Sequence, residues 1–512
     1  MTSKTVNKNE NGRLRLMFDC AIVCALFFGA DAFLEFTTDT YRTFAVGVGK
    51  KAKDMLMRNG RPVIALYYKC FGLTGLPQEK FYYISFGTGL ILAAASLYAL
   101  STLLEEIFHS RRKAFLTSLL LVINLFIIEY FMFVETMGFL TGVFFAVLAA
   151  CFTAYFYAGK GILYLIPALF SLLIAQFAYQ PTVGIFCVIL FPLVSYYAGG
   201  KTARFIRNNV VLGTMFGIVN VATIVMMKHY QSYRSAFTVV STIENVKWAL
   251  KTIWEVIRYS YKILDGILPN GTFLGVVVLL TVLTVVKAVL CCPREKVPTA
   301  VASVIYSMAA VTALQILYYA VGNQHAMRIC YTVGALPGVA MMHYFLLDVP
   351  ASDQNTESSR QEKSGKGVLS GINAVAVILL IMFLIGQYLS FQRVIIDRYK
   401  GNEADRLYIE TIGQSIREYE QESGTQVTKV AVCQDAHVPD SWVEFSSDRY
   451  SRARSLNRTW SDIDSLNYYL KRKFKRADDN EEIRKQFFER DWNAFSQDQL
   501  VFEGDTLYLC VY

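Results

Sequence analysis

Long apolar runs recur along the first three quarters of the chain and are separated by short polar connections. Each run is close to the length of about 20 residues that a helix needs to cross a hydrocarbon core of about 30 Å. No water is available there to bond the backbone, so each spanning run must be helical. The pattern predicts about eleven transmembrane helices, near residues 14–35, 81–108, 114–130, 136–157, 161–178, 182–199, 209–227, 272–292, 299–320, 326–347 and 368–390.

Two longer polar segments interrupt this pattern. The segment 36–80 holds short apolar stretches broken at "NGRP", which predicts short helices lying at the membrane surface. The segment 228–271 predicts an amphipathic helix over about residues 244–264. Its aromatic anchors in the interface would be Trp248, Trp254 and Tyr261.

The region after the last apolar run has the composition of a small soluble domain. Strand-like stretches occur at 429–435 ("KVAVCQD") and 505–512 ("DTLYLCVY"), and a helical pattern covers 463–474. The predicted fold is therefore an all-α polytopic membrane protein with a small C-terminal α/β domain. The expected parts are a cytoplasmic tail (1–13), a membrane domain (14–347) with external loops 36–80 and 228–271, a cytoplasmic linker (348–367), a last transmembrane helix (368–390) and an external soluble domain (391–512).

Composition and charge support this organisation and suggest its orientation. The 512 residues are 54% hydrophobic and 18% charged, with a mean hydropathy of +0.35, which indicates an integral membrane protein. Basic residues crowd the N-terminal tail and the connections "RRK", "KTARFIR" and "PREK", so this side should be cytoplasmic. The loop 36–80 is also basic, but long loops follow this rule weakly. The net charge of +9 reflects these connections and makes no case for nucleic-acid binding.

The ten cysteines show no metal-ligand spacing. Cys433 and His437 in "CQDAH" lack a third ligand, so a metal site is not expected there. Cys433 and Cys510 would be able to pair in an oxidising compartment, but spacing alone does not decide whether they do.

Several carboxylates fall at the predicted external end of the spans. Ionisable groups at membrane depth are costly, so each is a hypothesis for a functional site. A single carboxylate at a span end is as often simply solvated at the interface, so the hypothesis depends on their number. They are Asp31, Glu35, Asp39, Glu129 and Glu135.

Basic, amide and aromatic side chains fall at the same predicted end. Arginine makes forked contacts that suit a phosphate group, although an arginine at a span end also snorkels to the interface. The "AYQP" turn is equally typical of a tight proline turn with an aromatic belt residue. These side chains are Arg42, Arg61, Tyr179, Gln180, His325 and Arg328.

The order of these motifs resembles a known family. An acidic residue followed by "YR" after the first span, then "GRP", "IIEYFMFVET", "YQP" and a late arginine are similar to bacterial polyprenyl-phosphate-glucose-dependent glucosyltransferases. Specifically, the chain resembles the serotype-converting, O-antigen-modifying type, whose fold is GT-C-like. The resemblance covers residues 14–347 and the plan of a last span followed by a soluble tail. It implies transfer of a hexose, glucose by expectation, from a polyprenyl-phosphate donor to a cell-surface glycan outside the bacterial inner membrane.

The same resemblance implies roles for individual residues. The first external loop of such enzymes carries the catalytic carboxylate, and Asp39 is the matching position. Family members often have two adjacent acidic residues there, whereas Thr38 and Thr40 flank a single aspartate here. Either Asp39 suffices, or Glu129 or Glu135 supplies a second carboxylate. A divalent metal stays an open alternative that the missing acidic pair does not support.

These residue types suit the chemistry of sugar transfer. A carboxylate at a partly apolar surface has a raised proton affinity, which makes Asp39 a candidate general base for the attacking hydroxyl. The leaving lipid phosphate would be held by arginine, and neighbouring side chains would bind substrate. The expected substrate-binding residues are Arg42, Arg61, Tyr179, Gln180 and Arg328.

Two other classes of protein stay open. A transporter or flippase also has many spans and buried charges, but its charges typically lie at the midplane of broken, repeated helices. A polysaccharide polymerase or ligase would also use lipid-linked glycans. For the transferase, the expected partners are the lipid-linked donor, the acceptor glycan and membrane lipid. A flippase and a donor-synthesising glycosyltransferase are further candidate partners.

Overall fold

The computed structural model describes residues 3–33, 36–230, 239–322, 327–329, 331–349, 366–434, 455–457, 459–490, 492 and 495–511. Most of them are helical. The helices are α1 Ser3–Phe28, α2 Thr38–Val46, α3 Val48–Met57, α4 Pro62–Gly72, α5 Gln78–Phe108, α6 Arg111–Val122, α7 Ile128–Phe131, α8 Thr136–Tyr157, α9 Leu165–Ala178, α10 Val183–Ala198, α11 Thr202–His229, α12 Val239–Leu264, α13 Thr272–Cys291, α14 Val297–Gly322, α15 Tyr331–Gly334, α16 Leu336–Leu346, α17 Lys366–Ser423, α18 Asp462–Leu470 and α19 Glu481–Phe488. The strands are β1 Lys429–Gln434, β2 Lys475–Arg476, β3 Leu500–Glu503 and β4 Thr506–Val511.

Within the described ranges, seven helices are long and apolar enough to cross a membrane. An eighth candidate is the bent pair of Arg111–Val122 and Leu125–Phe131, whose halves meet at 54°. Of the other predicted spans, 161–178 and 326–347 contain shorter apolar helices, and 14–35 overlaps α1. The structure thus indicates a multi-pass helical membrane protein with seven or eight spanning helices by this measure, fewer than the number predicted.

The outward faces of the long helices are apolar. Ile224 and Val225 of α11, Val278 of α13 and Met382 of α17 are all exposed. Exposing such apolar side chains to water would cost free energy, whereas contact with lipid tails would not. The core lies between the helices, where aromatic and aliphatic side chains from α1, α5, α8, α10 and α16 pack together.

The segment 36–80 contains the short helices that the sequence predicts. Three short helices, α2 to α4, precede the long helix α5. The break falls at "NGRP", where Gly60 has a φ of 64°, in the left-handed region that favours glycine. Pro62 then occupies the first turn of α4, where its missing N–H has no helical partner to lose.

The segment 228–271 also contains its predicted helix. α12 covers residues 244–264 and begins a few residues earlier, at Val239. Trp254 is 70% exposed, as expected for an aromatic anchor at a membrane surface.

α17 joins the membrane domain to the soluble domain without interruption. It has 58 residues and is about 87 Å long, so it continues well past the predicted end of the last span at residue 390. Its C-terminal part contributes Ile409, Ile412 and Ile416 to the core of the soluble domain. The soluble domain is therefore built around the end of a membrane helix.

The described part of the C-terminal domain contains a mixed four-stranded sheet in the order β2-β1-β4-β3, with helices. β1 runs parallel to both β2 and β4, and β3 is antiparallel to β4. The two strands predicted from sequence correspond to β1 and β4. Cys433 lies opposite Cys510 in their register, and both are buried thiols that are not bonded to each other. His437 falls outside the described residues.

Polar contacts distinguish the two ends of the helical bundle. At one end Arg111 donates a hydrogen bond to the Gly12 carbonyl at 2.8 Å, and Lys113 pairs with Asp348 at 2.6 Å. The N-terminal tail, the connection that carries Arg111 and Lys113, and the residues that follow α16 therefore share one end of the bundle. The segment that contains α2 to α4 lies toward the other end, where α18 of the soluble domain packs on α2.

Candidate functional site

Asp39 lies in the first turn of α2. Thr37, which precedes the helix, is extended, and its hydroxyl lies 3.0 Å from that of Thr40. The positive end of the helix dipole favours a carboxylate in this turn. Within the described part of the chain, no side chain hydrogen-bonds or ion-pairs with the Asp39 carboxylate, and the residue stays partly exposed.

The charges of four other side chains act on Asp39 without forming a hydrogen bond or an ion pair with it. Burial raises the pKa of the Asp39 carboxyl above its ordinary value and is the largest effect. Lys51, Arg328 and Arg42 oppose this rise, while the negative charge of Glu135 adds to it. A carboxylate with raised proton affinity that keeps its lone pairs accessible can accept a proton from a bound substrate.

Glu135 immediately precedes α8 and is engaged on two sides. The Tyr68 hydroxyl donates a hydrogen bond to Glu135 Oε1 at 2.9 Å, and Lys51 Nζ lies 3.4 Å from the same oxygen. Glu135 is only 4% exposed. Burial, followed by the charge of Glu135, holds the pKa of Tyr68 well above its ordinary value, so Tyr68 stays a hydrogen-bond donor.

Glu129 holds Arg328 in place. The Glu129 carboxylate is fully buried in α7 and accepts a hydrogen bond from the Arg328 backbone N–H at 2.5 Å and another from its guanidinium. The Tyr130 hydroxyl donates to the Arg328 carbonyl at 3.0 Å. Arg328 is therefore fixed by the protein and does not simply snorkel to the interface.

Arg61 stacks on the "AYQP" turn. Its guanidinium carbon lies 4.6 Å from the centre of the Tyr179 ring, and its Nε lies 3.5 Å from Gln180 Oε1. Gln180 in turn donates to the Gly60 carbonyl at 3.0 Å. The Tyr179 ring also meets that of Tyr130, 5.5 Å away, which links this group to the Arg328 contacts. The "AYQP" turn thus packs with Arg61 and, through Tyr130, with the contacts of Arg328. Tyr179 therefore does more than anchor a helix at the membrane interface.

Arg42 lies three residues after Asp39 in α2. It is exposed, and its charge favours ionisation both of Asp39 and of Asp464 in α18. Burial nevertheless raises the pKa of Asp464 overall. Arg42 therefore faces the soluble domain, whereas Arg61 and Arg328 belong to the membrane bundle.

Asp31 does not join the cluster. It is fully buried, and Arg398 of α17 bonds to its Oδ1 at 2.8 Å. Arg398 also lies 3.4 Å from the Tyr82 hydroxyl. This pair ties the first and last long helices together. Glu35 and His325 lie outside the described residues.

Sequence reasoning missed Lys51, Tyr68 and Asp464. Lys51 was one of several basic residues in a loop expected to lie on lipid, and Tyr68 fell on the apolar pattern of a surface helix. Asp464 lies in a domain with no expected part in the site. Lys51 and Tyr68 contact Glu135, and the charge of Arg42 acts on Asp464. These neighbours are far away in sequence, so no local pattern identifies them.

The described residues contain no group of three or more histidine, cysteine, aspartate or glutamate side chains placed to hold a metal ion. The chain matches no protein-family model and no curated protein sequence. The family resemblance therefore depends on the order of the motifs along this chain.

Proposed function

We propose that this protein is a membrane glycosyltransferase. It would move a hexose, glucose by the family resemblance, from a polyprenyl-phosphate donor to a cell-surface glycan. The protein would lie in the bacterial inner membrane with its N-terminus in the cytoplasm. Its site and soluble domain would lie outside, on a GT-C-like bundle of about eleven spans. A flippase and a donor-synthesising glycosyltransferase would supply the donor.

One observation carries this proposal. The uncoordinated carboxylate of Asp39 lies among Lys51, Glu135 and Arg328 at one end of an apolar helical bundle. A donor of this kind has a tail that is soluble only in the bilayer and a phosphate that must stay at headgroup depth. A base and cations gathered at the end of the bundle match both requirements.

The reaction would be a single displacement. Asp39 would take the proton from an acceptor hydroxyl while its oxygen attacks the anomeric carbon. The bond between that carbon and the phosphate oxygen would break, and polyprenyl phosphate would leave with the electron pair. The new glycosidic bond would have inverted configuration, and Asp39 would later release its proton to water.

Arg61 and Arg328 would stabilise the leaving phosphate. Their guanidinium groups are held by Tyr179 and Glu129, so little ordering is needed when charge develops on the phosphate. The Arg328–Glu129 contact makes Glu129 a positioning residue for the arginine. Glu135, bonded to Tyr68 and Lys51, would set the charge around Asp39.

The experiment uses the purified full chain in lipid vesicles with synthetic polyprenyl-phosphate-glucose. Polysaccharide extracted from the surface of the source cells serves as acceptor. We expect release of polyprenyl phosphate together with labelled polysaccharide whose new linkage is inverted. Vesicles without protein provide the control.

Other results would contradict the proposal. Retention of configuration, or recovery of a sugar bound covalently to Asp39 or Glu129, would exclude a single displacement. Movement of intact donor across the bilayer without cleavage would favour the transporter. Joining of whole lipid-linked glycans would favour the polymerase or ligase.

A further inference from the structure

The soluble domain reaches the helix that carries Asp39. The Tyr469 hydroxyl of α18 lies 2.7 Å from the Tyr41 hydroxyl of α2. The neighbouring Tyr468 ring packs edge-on against Phe36, with their centres 5.7 Å apart, and against Tyr41 at 5.4 Å. Aromatic contacts of this kind bury a large apolar area at low entropic cost. We call these four residues the aromatic clamp; it fixes α18 beside α2.

Opposite charges lie beside the clamp on its two helices. Arg42 of α2 is exposed, and Asp464 of α18 is half-buried. Arg42 follows Tyr41 and lies three residues after Asp39 in α2, and Asp464 lies one helical turn before Tyr468 in α18. The contact of Tyr41 with Tyr468 therefore places these charged residues on neighbouring turns of the two packed helices. Even so, over the ranges that the structure describes, neither Arg42 nor Asp464 has an ion pair or side-chain hydrogen bond.

The clamp holds the two helices together, yet Arg42 and Asp464 form no salt bridge with each other. A half-buried carboxylate that bonds to no described side chain keeps lone pairs that can accept hydrogen bonds. The exposed Arg42 guanidinium offers only donors. A molecule that bridges Arg42 and Asp464 must therefore offer both a donor and an acceptor.

We propose that Arg42 and Asp464 form an acceptor subsite that binds the hydroxyl groups of a glycan beside Asp39. A sugar hydroxyl can donate to the Asp464 carboxylate and accept from the Arg42 guanidinium. An uncharged ligand also leaves the balance between the two charges intact. This subsite rests on the proposed transferase function, because it places the acceptor hydroxyl next to the base.

The charges also separate the acceptor from the donor. A lipid phosphate at this position would be repelled by the Asp464 carboxylate, which pairs with no described side chain, whereas the Glu129 carboxylate beside Arg328 is already paired with that guanidinium. The donor would then enter from the membrane and the acceptor from the soluble domain. Arg42, which the sequence assigns to substrate binding, would bind the acceptor and not the phosphate.

The test measures glycan binding without donor, so it does not depend on turnover. The full chain in lipid nanodiscs is titrated with polysaccharide extracted from the surface of the source cells. Asp464→Asn and Arg42→Gln are compared with wild type and with Asp498→Asn, which alters an exposed carboxylate paired with Arg490 in the same domain. We expect each subsite variant to weaken binding about 10-fold or more, as for loss of a hydrogen bond to a charged group. The Asp498 variant should bind as wild type does.

The subsite is overturned if wild type does not bind this polysaccharide or if both subsite variants bind as tightly as wild type. Arg42→Gln changes an exposed side chain, so it keeps the test valid if Asp464→Asn unfolds the domain. Donor cleavage is measured in a separate reaction. Binding that depends on both residues without any donor cleavage would reject the transferase but keep a glycan site. Donor cleavage with binding unaffected by both variants would reject the subsite alone.

Discussion

Asp31 and Asp39 both lie near the end of the first apolar run, but their surroundings differ. Asp31 is fully buried and bonds to Arg398 at 2.8 Å. Asp39 is partly exposed, and no described side chain bonds to its carboxylate. By their place in the apolar pattern alone, the two would be equal candidates for a functional acid.

The difference distinguishes a carboxylate that stabilises the fold from one that is able to act as a general base. A buried carboxylate bonded to an arginine is already satisfied, and its removal leaves an uncompensated charge. A general base must instead have an accessible lone pair and a proton affinity suited to its task. We therefore assign Asp31 to stability and propose Asp39 for catalysis.

The largest effect on stability is expected from breaking the buried pair. Arg398→Met would leave Asp31 buried without its arginine and lower the free energy of unfolding by about 3–5 kcal/mol. Donor turnover per folded molecule should persist. Denaturant unfolding in detergent measures the first quantity, and turnover at a temperature where the variant is folded measures the second.

Arg406→Met is the matched control for Arg398→Met, since Arg406 lies on the same helix but pairs with Glu403 and Glu410 on the surface. It should change stability little. If Arg398→Met removed turnover while unfolding like wild type, Asp31 and Arg398 would belong to the site and the distinction would fail.

The next effect concerns the phosphate-binding arginines. Arg328→Lys keeps the positive charge but loses the forked donor, so donor turnover should fall about 10- to 100-fold, the value of a lost hydrogen bond to a charged group. Steady-state kinetics with synthetic polyprenyl-phosphate-glucose measures it. Arg58→Lys is the control, because Arg58 directly follows α3 and its side chain is largely exposed. Equal loss in both variants would point to general destabilisation.

A smaller effect is a shift in pH dependence. The base must be ionised, so activity should fall as the pH decreases through the pKa of Asp39. Glu135 raises this pKa and Lys51 lowers it. Glu135→Gln should therefore move the acidic limb of the rate profile to lower pH, and Lys51→Met should move it to higher pH. Shifts in the same direction, or none, would show that another group controls the limb.

The smallest effect is expected at the aromatic clamp. Tyr469→Phe removes the hydroxyl contact with Tyr41 but keeps the ring, so unfolding free energy should fall by about 0.5–1.5 kcal/mol. Thermal unfolding monitored by a probe in the soluble domain measures it. Tyr399→Phe, on an exposed part of α17, should have no such effect. An unchanged Tyr469→Phe variant would mean that the rings alone hold the domain.

Much of the fold can be predicted because its signals are local. The apolar runs, the break at "NGRP" and the strands at 429–434 and 506–511 all follow from neighbouring residues. The continuity of α17 past residue 390 was missed because the helix changes from an apolar to an amphipathic pattern there. The spacing of Ile409, Ile412 and Ile416 is the signal that could have shown it.

The site was predicted only in part because its contacts are distant in sequence. Local motifs pointed to Asp39, Arg61 and Arg328. The Lys51–Glu135 pair and the placement of Arg42 and Asp464 on neighbouring helices depend on how separate helices pack. The two roles of Asp31 and Asp39 likewise depend on Arg398, which lies in α17 beyond the predicted end of the last span.

The most direct test of the account is donor turnover by Asp39→Asn in lipid vesicles, beside wild type and Asp54→Asn, a control on the adjacent helix α3. Asparagine keeps the shape of the side chain but cannot accept the proton. The account predicts that turnover falls about 10²- to 10⁴-fold while unfolding is unchanged, and that Asp54→Asn behaves as wild type. Turnover retained by Asp39→Asn would contradict the account and move the base to another carboxylate.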